Sequence, residues 1–134
     1  MTKEEVKEEI KQREGDPKVK SRIRSMQFEI IRKRIFEAVE TSDVIITNPT
    51  HFAVALKYDP SKNNAPVVVA KGMDFIAQKI KKIARYKGIP IVENRPLARF
   101  LYYKVKLGFP IPEEVFEAVA KIYAYIYSLK NRAA

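Results

Sequence analysis

Val44-Ile45-Ile46-Thr47-Asn48-Pro49-Thr50-His51-Phe52-Ala53-Val54-Ala55-Leu56 is two apolar runs interrupted by Asn-Pro-Thr-His. Runs rich in β-branched residues and bounded by turn residues read as strands, so the stretch predicts one strand over 44–47, a tight loop, and a second strand over 52–58. Pro49 forces Asn48 out of the helical region towards extended backbone angles. Outward from this pair, Asp59 to Asn64 is a turn cluster, and the short apolar run 66–70 predicts a third strand of the kind buried on both faces. Asp74 opens a helix with Phe75, Ile76, Ile80, Ile83 and Ala84 towards the core and Lys79, Lys81, Lys82, Arg85 and Lys87 outside. Gly88 ends it as a left-handed cap, and 89–92 gives a fourth strand. Strand, helix, strand at this spacing is a βαβ unit, which predicts strands three and four as parallel neighbours.

Two further helices follow: a short one over 96–105, closed by Gly108, and a final one from Pro112 whose stripe of Val115, Val119, Ile122 and Ile126 packs on the sheet. Phe116, Ala120, Tyr123 and Tyr127 lie beside that stripe, with Tyr125 exposed; Lys130 and Arg132 fall past the last turn. Towards the N-terminus, residues 2–14 alternate Lys and Glu with only Val6 and Ile10 apolar, a pattern for a solvated helix. Asp16 as cap and Pro17 at the first helical position start another, reaching Glu40, with its later half on the core. The fold class expected is therefore α/β: a small four-stranded mixed sheet surrounded by helices in a three-layer-like arrangement, with an extended N-terminal helical connector. Residues 1–40 form the connector and 41–134 the globular domain.

The chain of 134 residues suffices for one domain with a real core. It has no cysteine and one histidine, which excludes a disulfide framework, thiol catalysis and a plausible transition-metal cluster, so no metal and no cofactor are expected. No apolar run approaches the length of a membrane helix, and the first residues lack the apolar core of a secretory signal. Net charge is +10. Residues 1–40 hold 11 Lys+Arg against 9 Asp+Glu, so most of the excess lies in the globular part. A basic module invites nucleic acid as a partner, but no recognition motif accompanies the charge, and the aromatics fall on core-facing stripes. A methyltransferase reading, from Asn-Pro at a strand end, fails because four glycines give no glycine-rich cofactor turn and Thr50 replaces a second proline.

The loop itself carries chemistry. Pro49 has no N–H, so the usual attack of the following backbone nitrogen on an Asn side chain is closed. The reverse attack stays open: the amide nitrogen of Asn48 adds to Asn48's own carbonyl carbon, closes a succinimide and expels Pro49 as a new amino terminus. Positioning decides the rate of such a step. His51 is the nearby side chain suited to move a proton, or alternatively to support the turn.

The tetrapeptide Asn48-Pro49-Thr50-His51 resembles the NPTH cleavage motif of the FlhB and YscU family, the switch proteins of flagellar and virulence type III secretion. Glu5-Val6-Lys7, Glu14-Gly15-Asp16-Pro17, the run from His51 to Asp59, Val69-Ala70-Lys71-Gly72, Pro90 to Asn94, Pro96-Leu97-Ala98-Arg99 and Ile111-Pro112-Glu113-Glu114 extend the likeness over nearly the whole chain. It favours the flagellar branch over the virulence one. Phe52 and Arg95 depart from that pattern, where Tyr and a second Pro are frequent.

The resemblance implies a flagellar protein-export component that cuts itself once between Asn48 and Pro49, with its two fragments held together, and so is not a turnover enzyme. It implies a change of export from rod and hook to filament substrates. The implied partners are export gate proteins, a hook-length control protein and the export substrates. It also implies a membrane-embedded full-length protein, of which this is the cytoplasmic domain at the inner cell membrane; basic cytoplasmic flanks agree with that topology. Lys79, Lys82 and Arg85 are the expected partner-binding surface, in preference to nucleic acid.

Overall fold

The structure, a computed structural model, describes residues 15–133. The solvated helix expected over 2–14 lies outside them. The chain divides into two compact units at Arg34/Ile35. Helix α1 runs over Pro17–Glu40. Asp16 starts it, its Oδ1 accepting from the Lys18 N–H at 2.8 Å, which satisfies one of the orphan donors of a helix start. Val39 is its one buried residue, with Ile35 and Ala38 packed beside it, whereas Met26, Phe28, Ile30 and Ile31 are about half exposed. The expected burial of the later half thus narrows to its last turns.

Strands β1 (Val44–Asn48), β2 (Phe52–Lys57), β3 (Val67–Met73) and β4 (Ile91–Glu93) form one sheet in the order β3-β2-β1-β4. β1 and β2, the strands expected on either side of the loop, pair antiparallel as a hairpin, in register from Val44↔Leu56 to Asn48↔Phe52. β3 pairs antiparallel with β2, and β4 parallel with β1. The expected adjacency of the third and fourth strands is therefore wrong: they are the two ends of the order. The physical cause lies at β3's other edge, which the segment 106–111 occupies. Val68 N–H donates to the Phe109 carbonyl at 3.0 Å, Gly108 N–H to Val68 at 2.8 Å and Ile111 N–H to Pro66 at 2.9 Å. The free edge left for β4 is that of β1. This lateral position also explains why β3 alternates in burial instead of being covered on both faces.

Helix α2 (Asp74–Lys87) connects β3 to β4, α3 (Arg95–Lys104) follows, and a 3-10 turn at Glu113–Val115 leads into α4 (Phe116–Ala133). Lys130 and Arg132 lie within the last turn of α4 instead of beyond it, favourably placed for the helix dipole. The strand period of two separates the cores. Val44, Ile46, Val54 and Leu56 face α3 and α4, together with Leu97, Leu101, Val119 and Ile126. Ile45, Ala53, Ala55 and Ala70 face the other way, with Val39 of α1 and Ala77, Ile80 and Ala84 of α2. That second face is alanine-rich, so α2 approaches closely. At Gly72 an added Cβ meets the Ile76 side chain, which leaves glycine as the residue that fits.

The two helix caps foreseen from sequence differ in outcome. Gly88 takes φ 73° and its N–H bonds back to Ala84 and Arg85. Gly108, with φ 85°, lies beyond the end of α3 and serves the edge contact with β3. Phe75, expected in the core, is 64% exposed; Phe116 and Tyr127 are exposed like Tyr125. Asp43, just before β1, joins three elements. Its Oδ2 accepts from the Tyr58 N–H at 2.7 Å and from the Tyr123 hydroxyl at 2.9 Å. Burial, with the Asp43 carboxylate adding to it, pushes the Tyr123 phenol well above its ordinary value.

Candidate functional site: the Asn48–His51 turn

Asn48 ends β1 and Phe52 begins β2, so the four residues Asn48–His51 close the hairpin as one tight turn. The His51 N–H donates to the Asn48 carbonyl at 3.0 Å, the i to i+3 bond of a β-turn with proline at its second position. Each end is pinned from outside. The Asn94 N–H donates to the Thr47 carbonyl at 3.0 Å, and the Asp74 N–H donates to the His51 carbonyl at 2.9 Å. Asp74 has φ 48°, the left-handed region, which a non-glycine residue enters only where its surroundings over-determine it. The strain therefore sits beside the loop, in the residue that holds His51.

Thr50 organises the side chains. Its N–H lies 3.4 Å and its Oγ1 3.1 Å from Asn48 Oδ1, and the same Oγ1 lies 2.6 Å from His51 Nδ1. A hydroxyl has one proton. When Oγ1 donates it to Asn48, the Nδ1 contact is completed by a proton on His51, giving a chain from Nδ1–H through the hydroxyl to Oδ1. Both Thr50 donors converge on the amide oxygen of Asn48, and Nδ2 donates to no group among the described residues. His51 thus reaches the Asn48 side-chain amide through Thr50.

Lys81 is the residue that sequence reading misplaced. It was expected outside, yet it is 7% exposed and its Nζ donates to the Pro49 carbonyl at 3.2 Å. The signal was present, since Ala77, Ile80, Lys81 and Ala84 are spaced i, i+3, i+4, i+7, the inward stripe of α2. Of the expected partner surface, Lys82 and Arg85 are exposed, whereas Lys79 is half-buried with its Nζ 5.3 Å from the Phe75 ring centroid. Those three lie on α2 and make no direct bond to the turn.

Phe52, next to the turn, stacks on Tyr102 at 4.8 Å and meets Tyr103 edge-on at 5.4 Å. Lys71 Nζ holds the end of α3 beneath this cluster through the Tyr102 and Val105 carbonyls at 2.9 and 2.8 Å; burial pushes its pKa down. On the open side of the turn, Asn48 lines a cleft of about 890 Å³ with Arg95, Arg99, Phe100, Tyr103 and Lys104. The sequence reading named none of these α3 cations as part of the site. Among the described residues no metal-binding cluster exists, and no helix is long and apolar enough to cross a membrane.

A family model described as the FlhB HrpN YscU SpaS family matches residues 1–126. The chain is 50% identical over 132 residues to the flagellar biosynthetic protein FlhB of Bacillus subtilis, covering 98% of this chain and 37% of that protein. Its identity to the Helicobacter pylori protein of the same name is also 50%, over 131 residues, covering 98% and 36%. The crystal structure of the cytoplasmic domain of FlhB from Shewanella putrefaciens is similar at a TM-score of 0.73 and 44% identity, over 76% of this chain and 78% of that one. The chain spans little more than a third of the length of the curated relatives it matches. With this likeness in fold and a family match over almost its full length, the chain belongs to the FlhB HrpN YscU SpaS family.

Proposed function

We propose that this chain is the cytoplasmic part of a flagellar type III export component at the inner cell membrane, and that it cuts its own backbone once between Asn48 and Pro49. The observation that carries the cut is the double grip on Asn48: its backbone oxygen accepts from the His51 N–H, and its side-chain oxygen from Thr50. Nδ2 loses a proton and bonds to the Asn48 carbonyl carbon. The former carbonyl oxygen takes up negative charge, which the His51 N–H stabilises without reorganising. Thr50 stabilises the charge that deprotonation places on Oδ1. The carbon–nitrogen bond to Pro49 then breaks, the Pro49 nitrogen takes a proton, and residue 48 is left as a succinimide. Water opens that ring to a carboxylate. Lys81 holds the carbonyl on the departing side.

Cutting leaves β1 on one piece and β2, β3 and β4 on the other, so the sheet bridges the break. The change is local: two free ends and a new charged amine at Pro49. As a switch from rod and hook to filament substrates, such a surface change would be read by export gate proteins and a hook-length control protein. Lys79, Lys82 and Arg85 remain the proposed contact surface for partners or substrates. Membership of a family that also contains YscU-type proteins leaves the virulence branch as the second reading.

Intact mass under denaturing conditions tests the cut directly. The wild-type chain yields residues 1–48 and 49–134, Asn48→Ala stays in one piece because the nucleophile is gone, and Pro49→Ala is largely blocked. His51→Ala slows the cut without abolishing it. A folded wild-type chain that stays full-length through prolonged incubation at neutral pH overturns the reading.

A further inference from the structure

The geometry points to a receiving site on α3 for the carboxylate that cleavage creates: Arg99, flanked by Lys104 and Arg95, binds the new anionic end of residue 48 and fastens the cut strand to the domain. This inference rests on the self-cleavage reading above. Succinimide opening has two outcomes. Attack of water at the backbone carbonyl leaves an α-carboxylate beside an intact amide; attack at the side-chain carbonyl leaves a β-carboxylate beside a terminal amide. Either way one carboxylate appears on residue 48, where the uncut chain had a neutral peptide group and a neutral side chain.

Residue 48 already lines the cleft in which the three cations stand. Their engagement differs. Arg95 Nε bonds Glu93 at 3.2 Å, so its charge is partly answered. Arg99 pairs with no carboxylate among the described residues, and its guanidinium is held 6.0 Å from the Tyr103 ring centroid. Lys104, a turn further along, is likewise without a carboxylate among the described residues. In the uncut chain the cleft therefore gathers positive charge against the neutral Asn48. A guanidinium fork matches a carboxylate with two parallel hydrogen bonds, and α3 is tied to the sheet by Lys71, so the receiving group is carried on a fixed element. The cut end of β1 then stays against α3, while the Pro49 side is free to move.

The test uses the cut wild-type protein and an uncut Asn48→Ala chain, each with and without Arg99→Gln and the pair Arg95→Gln with Arg99→Gln. In a fixed, sub-denaturing urea concentration, the rate at which piece 1–48 leaves piece 49–134 is followed for the cut protein, and the unfolding rate for the uncut one. Exposed charge pairs are modest and salt-screened, so the expected effect is about a two- to fivefold faster separation at low ionic strength. The difference disappears in 1 M salt, Arg99→Lys recovers part of it, and the uncut background moves by less than twofold. Equal changes in both backgrounds, or none in the cut protein, overturn the receiving site and leave the cleavage reading standing. A wild-type chain that is never cut overturns both.

Discussion

Ile46→Ala in the cut protein weakens the hold between the two pieces by an amount that the uncut chain reports independently. Ile46 is fully buried at the centre of β1, opposite Val54 on one side and Val92 on the other. Truncating a buried isoleucine to alanine costs about 2–5 kcal/mol, and to valine about 0.5–1.5 kcal/mol. In the uncut Asn48→Ala background that cost appears as a lower denaturant midpoint with the slope unchanged. In the cut protein separation of the pieces and loss of the fold are one process, so the same cost becomes a weaker hold. At about 1.4 kcal/mol per tenfold, Ile46→Val loosens it roughly two- to twelvefold, and Ile46→Ala roughly thirtyfold or more.

A dilution series read by size-exclusion chromatography, with masses of each peak, measures the hold; urea melts measure the uncut pair. Agreement of the two free-energy changes within about 0.5 kcal/mol is expected if β1 keeps its place in the sheet after the cut, because Ile46 then loses the same contacts in both proteins. Two results refute the reasoning. One is a wild-type cut protein that sheds residues 1–48 at micromolar concentration without denaturant. The other is an Ile46→Val change that lowers the uncut midpoint yet leaves the hold untouched, which means that β1 no longer sits in the sheet after cutting.

Gly72→Ala drives a methyl into Ile76 at the α2 face and destabilises the fold by about 1–3 kcal/mol, read as a lower urea midpoint. Lys81→Met removes the donor to the Pro49 carbonyl while keeping its apolar stem, so cleavage slows about three- to tenfold with stability changed by less than about 1.5 kcal/mol. Tyr123 is a folded-state phenol raised above its unfolded value of 10.0, so its stabilising contribution is complete below that pH and is lost as pH rises beyond it. Lys71, lowered in the folded state from 10.5, contributes with the opposite slope just below that value, so the Tyr123 share is isolated by comparing alkaline melts of wild type and Tyr123→Phe. The variant is expected to lose less stability between pH 9 and 11 than wild type does.

The strands and helices were legible because each rests on a local period: residues from Val44 to Leu56 alternate between the two faces of the sheet, although both faces are covered, and the stripe Val115, Val119, Ile122 and Ile126 is the one buried. The sheet order was not, because it turns on which edge of β3 is already taken. Gly108, Phe109 and Ile111 take it through backbone groups, which carry no side-chain pattern. Phe75 fails for a different reason: at about 100° per residue it lies on the side of α2 away from the buried stripe of Ala77, Ile80 and Ala84.

At the turn, Asn48 and Pro49 stood out in the sequence because the chemistry proposed for them is a property of the dipeptide. What makes the turn a site is supplied from elsewhere in the chain: Lys81 from 32 positions away, the backbone N–H groups of Asp74 and Asn94, and the cations of α3. These residues arrive by the same topology that defeated the strand order. β4 and the N-terminus of α3 reach the Asn48 side only because β4 pairs with β1, and α2 reaches the Pro49 side because it crosses the face behind β2. Had β4 paired with β3, as the βαβ spacing suggested, Asn94 would have no route to the Thr47 carbonyl and Arg99 none to residue 48. The topology that leaves β1 with β4 as its outer neighbour is thus what equips the turn with both a Lys81 brace on its Pro49 side and a cationic cleft on its Asn48 side.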